Sequence, residues 1–347
     1  MHMADALISP AVGISFWTCS IGVISFCAHK LKIEFNDKII PLMGVMGAFI
    51  FAGQMINFTI PGTGSSGHIG GGMLLAIILG PYAGFITIAS VLFIQALFFA
   101  DGGLLALGCN IWNLGIYPCF IAYPLIYKLI AGNSSNNKKI MIGSILGVIL
   151  GLELGAFSVV METVFSGITE LPFLTFSKMV LPIHLLIAVI EGIVTGAIII
   201  YVKNIQPDLF YADNQLNNTF LNLKKVLLSI GVLALITGGI LSWFASTHPD
   251  GLEWSMGKIT GREELLPKET VLHKNISRLQ EKIAFLPDYS FGKQESKEPE
   301  NKKESWPSVS GGTSVSGIIG GIFTLGLTIL IGFVIKLFRK RSLTNTQ

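Results

Sequence analysis

Apolar runs of about 20 residues recur along the chain, each long enough to cross a hydrocarbon layer of about 30 Å as a single helix. Inside such a layer the backbone must satisfy its own donors and acceptors, which leaves helices or a closed barrel. The runs are continuous rather than alternating, and this excludes a barrel. Only 13% of the 347 residues are charged, against roughly a quarter in a soluble domain. The sequence therefore specifies an all-α polytopic membrane protein.

The apolar runs place helices at about 10–30, 40–59, 68–79, 81–100, 105–131, 139–163, 180–203, 224–245 and 316–338. The third is short and parts from the fourth at Gly80-Pro81, where proline removes a donor and disfavours helix before it. Thirteen Lys and Arg residues fall at one set of helix ends: Lys30, Lys32, Lys38, Lys128, Lys138, Lys139, Lys203, Lys224, Lys225, Lys336, Arg339, Lys340 and Arg341. The opposite short loops at 60–67, 101–104 and 164–179 hold Lys178 alone. By the positive-inside rule the N-terminus is expected outside the cytoplasmic membrane and the C-terminus inside.

Residues 246–315 differ in character, being rich in Lys, Glu, Ser, Asn and Gly. They are expected to form a long external loop, with one amphipathic helix over VLHKNISRLQEKIAFL and a polar stretch, KQESKEPENKKES, too charged to pack a core. The chain thus divides into a seven-helix bundle (1–205), a cytoplasmic connector (206–223), and two further helices flanking the loop (224–345). Cys19, Cys27, Cys109 and Cys119 all lie in apolar segments without CxxC spacing and read as small buried hydrophobes.

The stretch PGTGSSGHIGGG matches the G-x-G-x-x-G string. It joins two membrane helices instead of a strand and a helix, so the dinucleotide reading fails. No Gly-Lys-Ser/Thr follows it, and no H-E-x-x-H occurs to mark a metalloprotease. The glycines instead let the chain turn tightly and deliver His68 to the outer face. At the N-terminus His2 follows Met1 directly, with no visible signal peptide. An amine, the next amide nitrogen and its imidazole close small chelate rings in one plane, suiting a tetragonal ion such as Ni(II) or Cu(II). His68 could fill the remaining corner. Two histidines in outer loops also describe ordinary solvated side chains, and spacing alone leaves both readings open. Within the membrane, His184 and Glu191 share a helix face two turns apart, while Asn110 and Asn113 lie on the fifth helix. Such groups either tie helices together or orient a ligating imidazole.

These residues carry a family resemblance. MHMADALISP resembles the opening of the substrate-binding membrane subunit of energy-coupling factor nickel/cobalt transporters, the NikM/CbiM family. The stretch from GTGSSGHIGGG to DGGLLALGCNIWNLG is similar to that family's central signature, and IHLLIAVIEGIVTG to its last-helix motif. HPDGLEW and FLPDYSF resemble the PDGLE-type motif of the NikN/CbiN accessory subunit, here fused in the same chain. The resemblance implies the metal ligands Met1, His2 and His68; Ser66, Asn110, Asn113, His184 and Glu191 are the residues expected to support them. It also implies a non-enzymatic component of an ATP-driven importer of Ni(II) or Co(II), with nickel favoured by the fusion. Its partners would be a NikQ/CbiQ-like coupling subunit and NikO/CbiO-like ATPases in the bilayer, with no nucleic acid. A secondary transporter working without ATPases is the rival reading. Ala6 and Leu7 replace the family's usual Gly-Phe, and the glycine loop carries an apparent insertion.

Overall fold

The computed structural model describes residues 2–34, 36–132, 136–205, 220–265, 270–291 and 306–344. Met1, most of the expected connector and the KQESKEPENKKES stretch lie outside the described residues.

The helices fall where the apolar runs place them: α1 (Pro10–Ile33), α2 (Ile39–Gln54), α3 (Gly72–Leu79), α4 (Pro81–Phe98), α5 (Leu107–Ile130), α6 (Asn137–Ser166), α7 (Phe173–Ile205) and α8 (Phe220–Gly239). Next come α9 (Gly251–Thr260) and α10 (Val271–Ile283), and then α11 (Gly311–Thr344). Among the described residues, six of these helices are long and apolar enough to cross a membrane.

The differences from expectation have local causes. With eight residues α3 reaches only about 12 Å, too short to span alone. Residues 68–71 are not helical, because Gly71 takes φ 79° and the amides of Gly70 and Gly71 bond to a carboxylate instead of to a helix. Helix α7 begins at Phe173, just after Pro172, seven residues before the apolar pattern suggests, so Lys178 is helical. Pro182 is absorbed inside it. In α5, Pro118 and Pro124 lack the N–H that an α-helix needs, and residues 112–127 widen into π-type turns that accommodate them. The glycine loop contains a two-stranded antiparallel hairpin, β1 (Phe58–Ile60) and β2 (Ser65–Gly67), where only a turn was expected. Helix α9 was not expected either; an Asp250/Glu253 capping box starts it and Gly261 at φ 74° stops it.

Close helix contacts depend on missing side chains. At the crossing of α8 and α11 a Cβ on Gly317 would collide with the Gly238 backbone, and where α11 meets α2 one on Gly320 would collide with the Phe51 ring. Small residues at such crossings permit the tight backbone approach that dispersion in a membrane requires. Helix α11 thereby lies along α2, and the fused helix pair is packed onto the bundle. Lys203 donates to Asn137 (3.0 Å) and Lys336 pairs with Asp37 at one end of the molecule. The N-terminal residues, the hairpin, residues 99–106 and the segment carrying α9 and α10 gather at the other.

Candidate metal-binding site

Residues 2–8 cross the end of the bundle formed by the hairpin and residues 99–106, and are fastened by their backbone. Met3 is fully buried. Its N–H donates to Asn110 Oδ1 (2.8 Å), and its carbonyl accepts from Asn110 Nδ2 (3.2 Å) and from the Gly103 N–H (2.9 Å). Asp5 then accepts from the Ala106 N–H (2.9 Å). The DGG turn makes this possible: Gly102 sits at φ 81°, and a Cβ on Gly103 would strike the Asp5 carboxylate. Residue 2 is thus held in place. His2 Nδ1 donates to Asp101 Oδ1 at 3.0 Å, and the imidazole lies stacked on that of His68, with ring centroids 5.0 Å apart and planes 14° off parallel. The other nitrogen, Nε2, is buried and has no hydrogen-bond partner.

His68 arrives from below. Gly62 and Gly64, at φ 79° and 74°, turn the hairpin. Beyond it, the Glu191 carboxylate on α7 accepts from the Gly70 N–H (2.7 Å) and the Gly71 N–H (2.8 Å). Gln54 donates to the Gly70 carbonyl (2.8 Å), and Gln95 donates to Gln54 (2.8 Å). His68 Nδ1 lies 3.1 Å from the carbonyl of Ile69. Burial above all holds the His68 imidazole below its usual pKa, at about 3, and so favours the neutral form that binds metals.

The structure therefore brings His2 and His68 together. Asn110 supports His2 through Met3, and Glu191 supports His68 through the glycine backbone. Asn113 sits one layer deeper, donating to Glu162 (2.9 Å) and touching Met3 Sδ. His184 bonds its own helix at the Val180 carbonyl (2.7 Å) and packs beside Gly251; its Nε2 makes no hydrogen bond. Ser66 faces away from the imidazoles: its hydroxyl donates to the His248 carbonyl (2.7 Å) and its N–H to that of Pro249 (2.8 Å).

Sequence reasoning missed the residues above the site. Tyr289 donates its hydroxyl to Asp101, stacks on Phe99, and stands at φ 57° in the PDY turn. Burial raises the Asp101 carboxyl, but His2 and the hydrogen bonds from His2 and Tyr289 outweigh it, leaving the group well below the usual range. Burial and Asp101 push the Tyr289 phenol up. Gln280 donates to the carbonyls of Ala96 (2.8 Å) and Gly102 (2.9 Å). His273, fully buried, reaches the Ile8 carbonyl (3.0 Å), and Trp254 donates to that of Thr63 (3.0 Å). The repeated PD pair in HPDGLEW and FLPDYSF was the available signal, since each lands on this site.

Among the described residues, no three His, Cys, Asp or Glu side chains converge as a preformed metal cluster. A site completed by backbone nitrogens would leave that signature.

Two family models match the chain: CbiM, described as a cobalt uptake substrate-specific transmembrane region, over residues 2–209, and the PDGLE domain over residues 224–337. An Archaeoglobus fulgidus protein named as a fused nickel transport protein, NikMN, is 34% identical over 60% of this chain and 68% of its own length. A Lactiplantibacillus plantarum protein named as a fused nickel transport protein, LarMN, is 30% identical over 76% of this chain and 80% of its own. A crystal structure of a transition metal transporter is 30% identical, with a TM-score of 0.52, over 60% of this chain and 95% of that one.

Proposed function

The chain belongs to the CbiM family of cobalt uptake substrate-specific transmembrane regions, with a PDGLE domain in the same polypeptide, and from that premise we propose that it captures Ni(II) for an ATP-driven importer. At the coarser level it is a nickel or cobalt transport component, a multi-pass membrane protein and a transport subunit in kind. The ion would bind at the external face, with the N-terminus outside and the C-terminus in the cytoplasm. A coupling subunit and ATPases in separate chains would supply the energy. The relatives' names carry the metal class, and their nickel-named fusions favour Ni(II) over Co(II).

One observation carries the site: two half-buried imidazoles stacked with centroids 5.0 Å apart, one on residue 2 and one at the end of the glycine turn. The ligand set we propose is the Met1 amine, the His2 amide and imidazole, and the His68 imidazole. Only Nδ1 of His2 can close a six-membered ring with its own amide nitrogen. That nitrogen faces Asp101 in the structure, so chelation would take His2 off Asp101. Asp101, still held by Tyr289, would then be free to accept from whichever N–H the liganded ring presents, as carboxylates beside ligating histidines do.

Titration of the purified chain with Ni(II) tests this. His2→Ala and His68→Ala are each expected to abolish high-affinity binding while leaving membrane insertion intact; retained binding removes that residue from the set. An N-terminal extension is expected to weaken binding, and undiminished uptake by such a chain excludes the amine. Ni(II) uptake insensitive to excess Co(II) would separate nickel from cobalt. Uptake by vesicles lacking the ATPases would favour the secondary-transporter rival.

A further inference from the structure

Far from the imidazoles, a groove of about 420 Å³ parts α7, at the end of the CbiM match, from α8, at the start of the PDGLE match. Phe49 of α2 lies at its floor. Among the described residues that line it, only Tyr201 and Ser229 carry a polar side-chain atom. Helices α7 and α8 run in opposite directions along the groove, with Ile205 and Phe220 toward the end that Lys203 and Lys336 mark. Tyr201 and Ser229 therefore lie at that same end, and the other end, at Ala197 and Ile236, is wholly apolar. Lys225 is exposed four residues before Ser229, and side chains four apart share a helix face. It stands one turn beyond the polar end, on the face that lines the groove. Along its length the groove thus grades from a cation, through two hydroxyls, to hydrocarbon.

We propose that this groove is a binding site for an anionic phospholipid, with acyl chain between α7 and α8 and the phosphate headgroup against Lys225. Dimensions decide against a partner helix. From Ser229 to Ile236 the groove runs about 10 Å along α8 at 1.5 Å per residue, so its mean cross-section is about 40 Å². A helix about 10 Å across needs roughly 80 Å². Slender hydrocarbon chains fit where a helix does not. Water is no better an occupant, because the apolar length offers it no hydrogen-bond partners. The charge at the polar end selects the headgroup: a lysine at the membrane surface attracts anionic lipid, and Tyr201, half exposed, presents the amphipathic ring typical of that level. A free phosphate would satisfy Lys225 but leave the apolar walls uncovered. The lipid would complete the seam between the two matched regions where their side chains leave a gap, whichever ion the chain carries.

The test is native mass spectrometry of the full-length chain released from nanodiscs of equimolar phosphatidylglycerol and phosphatidylcholine with matched acyl chains. The wild-type chain is expected to retain a phospholipid, with phosphatidylglycerol favoured about 5-fold. Lys225→Gln is expected to bring that preference close to parity while lipid is still retained. Ala197→Phe, at an exposed position in the groove wall, is expected to cause loss of both lipids alike. An unchanged melting temperature checks that this variant is folded; Lys225→Gln alters only an exposed side chain and carries the test by itself if it is not. Four results overturn the site: no retained phospholipid, equal retention of the two lipids by wild type, a preference that survives Lys225→Gln, or retention by folded Ala197→Phe equal to wild type. A dimer mass in place of the lipid adduct also overturns it and assigns the groove to a second copy of the chain.

Discussion

The two imidazoles are held by different parts of the molecule. His68 is fixed from below by the bundle: Glu191 accepts from successive glycine amides, and Gln54 and Gln95 close the network, all of them buried. His2 is fixed from the side and above, through Asp101, which Tyr289 of the segment between α8 and α11 holds in turn. The floor uses charge-assisted bonds to backbone in a dry interior, where losing a partner strands the others. The lid joins Tyr289 to the Asp101 carboxylate and Gln280 to the carbonyls of Ala96 and Gly102, side-chain bonds at the edge of the cavity that His2 and His68 line rather than within the bundle interior. A rigid floor beneath a peripheral lid suits a component that must grip an ion and later expose it.

This contrast can be broken at graded points. The largest effect is expected for Glu191→Ala, which leaves two buried amides without an acceptor and frees the backbone beside His68. Ni(II) affinity should drop about 100-fold, and melting of the detergent-solubilised chain should fall too. Glu191→Gln keeps one acceptor oxygen and should recover part of both; full recovery would show that the carboxylate charge is irrelevant to the floor. Asp101→Ala comes next, with about a 10- to 100-fold loss of affinity by calorimetry and little change in melting, since it orients a side chain rather than the fold. Tyr289→Phe removes one hydroxyl from Asp101 and should cost about 1 kcal/mol, roughly 5-fold in affinity. Gln280→Ala is expected to change affinity least, because water can reach the carbonyls it caps. If Tyr289→Phe matched Glu191→Ala, floor and lid would be energetically equivalent and the contrast would fail.

Much of the architecture was legible because a membrane leaves few options. Twenty-residue apolar runs must become helices, and Gly80-Pro81 had to break one. The short third segment was visible as short, yet its replacement by extended chain at 68–71 was not. That depends on Glu191, more than a hundred residues away, offering its carboxylate to the Gly70 and Gly71 amides. His2 and His68 stood out by position, the first beside the start of the chain and the second at the end of a glycine turn. Ser66 adjoins the same turn and looked equally placed for the site, but alternation in the hairpin directs it to Pro249 and His248. Asp101 was seen only as a turn residue, since nothing local says that His2 will meet it. Tyr289 and Gln280 lie some 180 positions from their partners, beyond the reach of any spacing rule.

The sequence by itself therefore determined the all-helical membrane class, the fused two-part organisation and two histidines at chain and loop ends, because hydropathy, proline and glycine act over a few residues. Only the tertiary structure decided that these histidines stack, and that a carboxylate on α7 props one while Asp101 and Tyr289 set the other. Those outcomes depend on which helix ends meet, and that is fixed by packing between segments far apart in the chain.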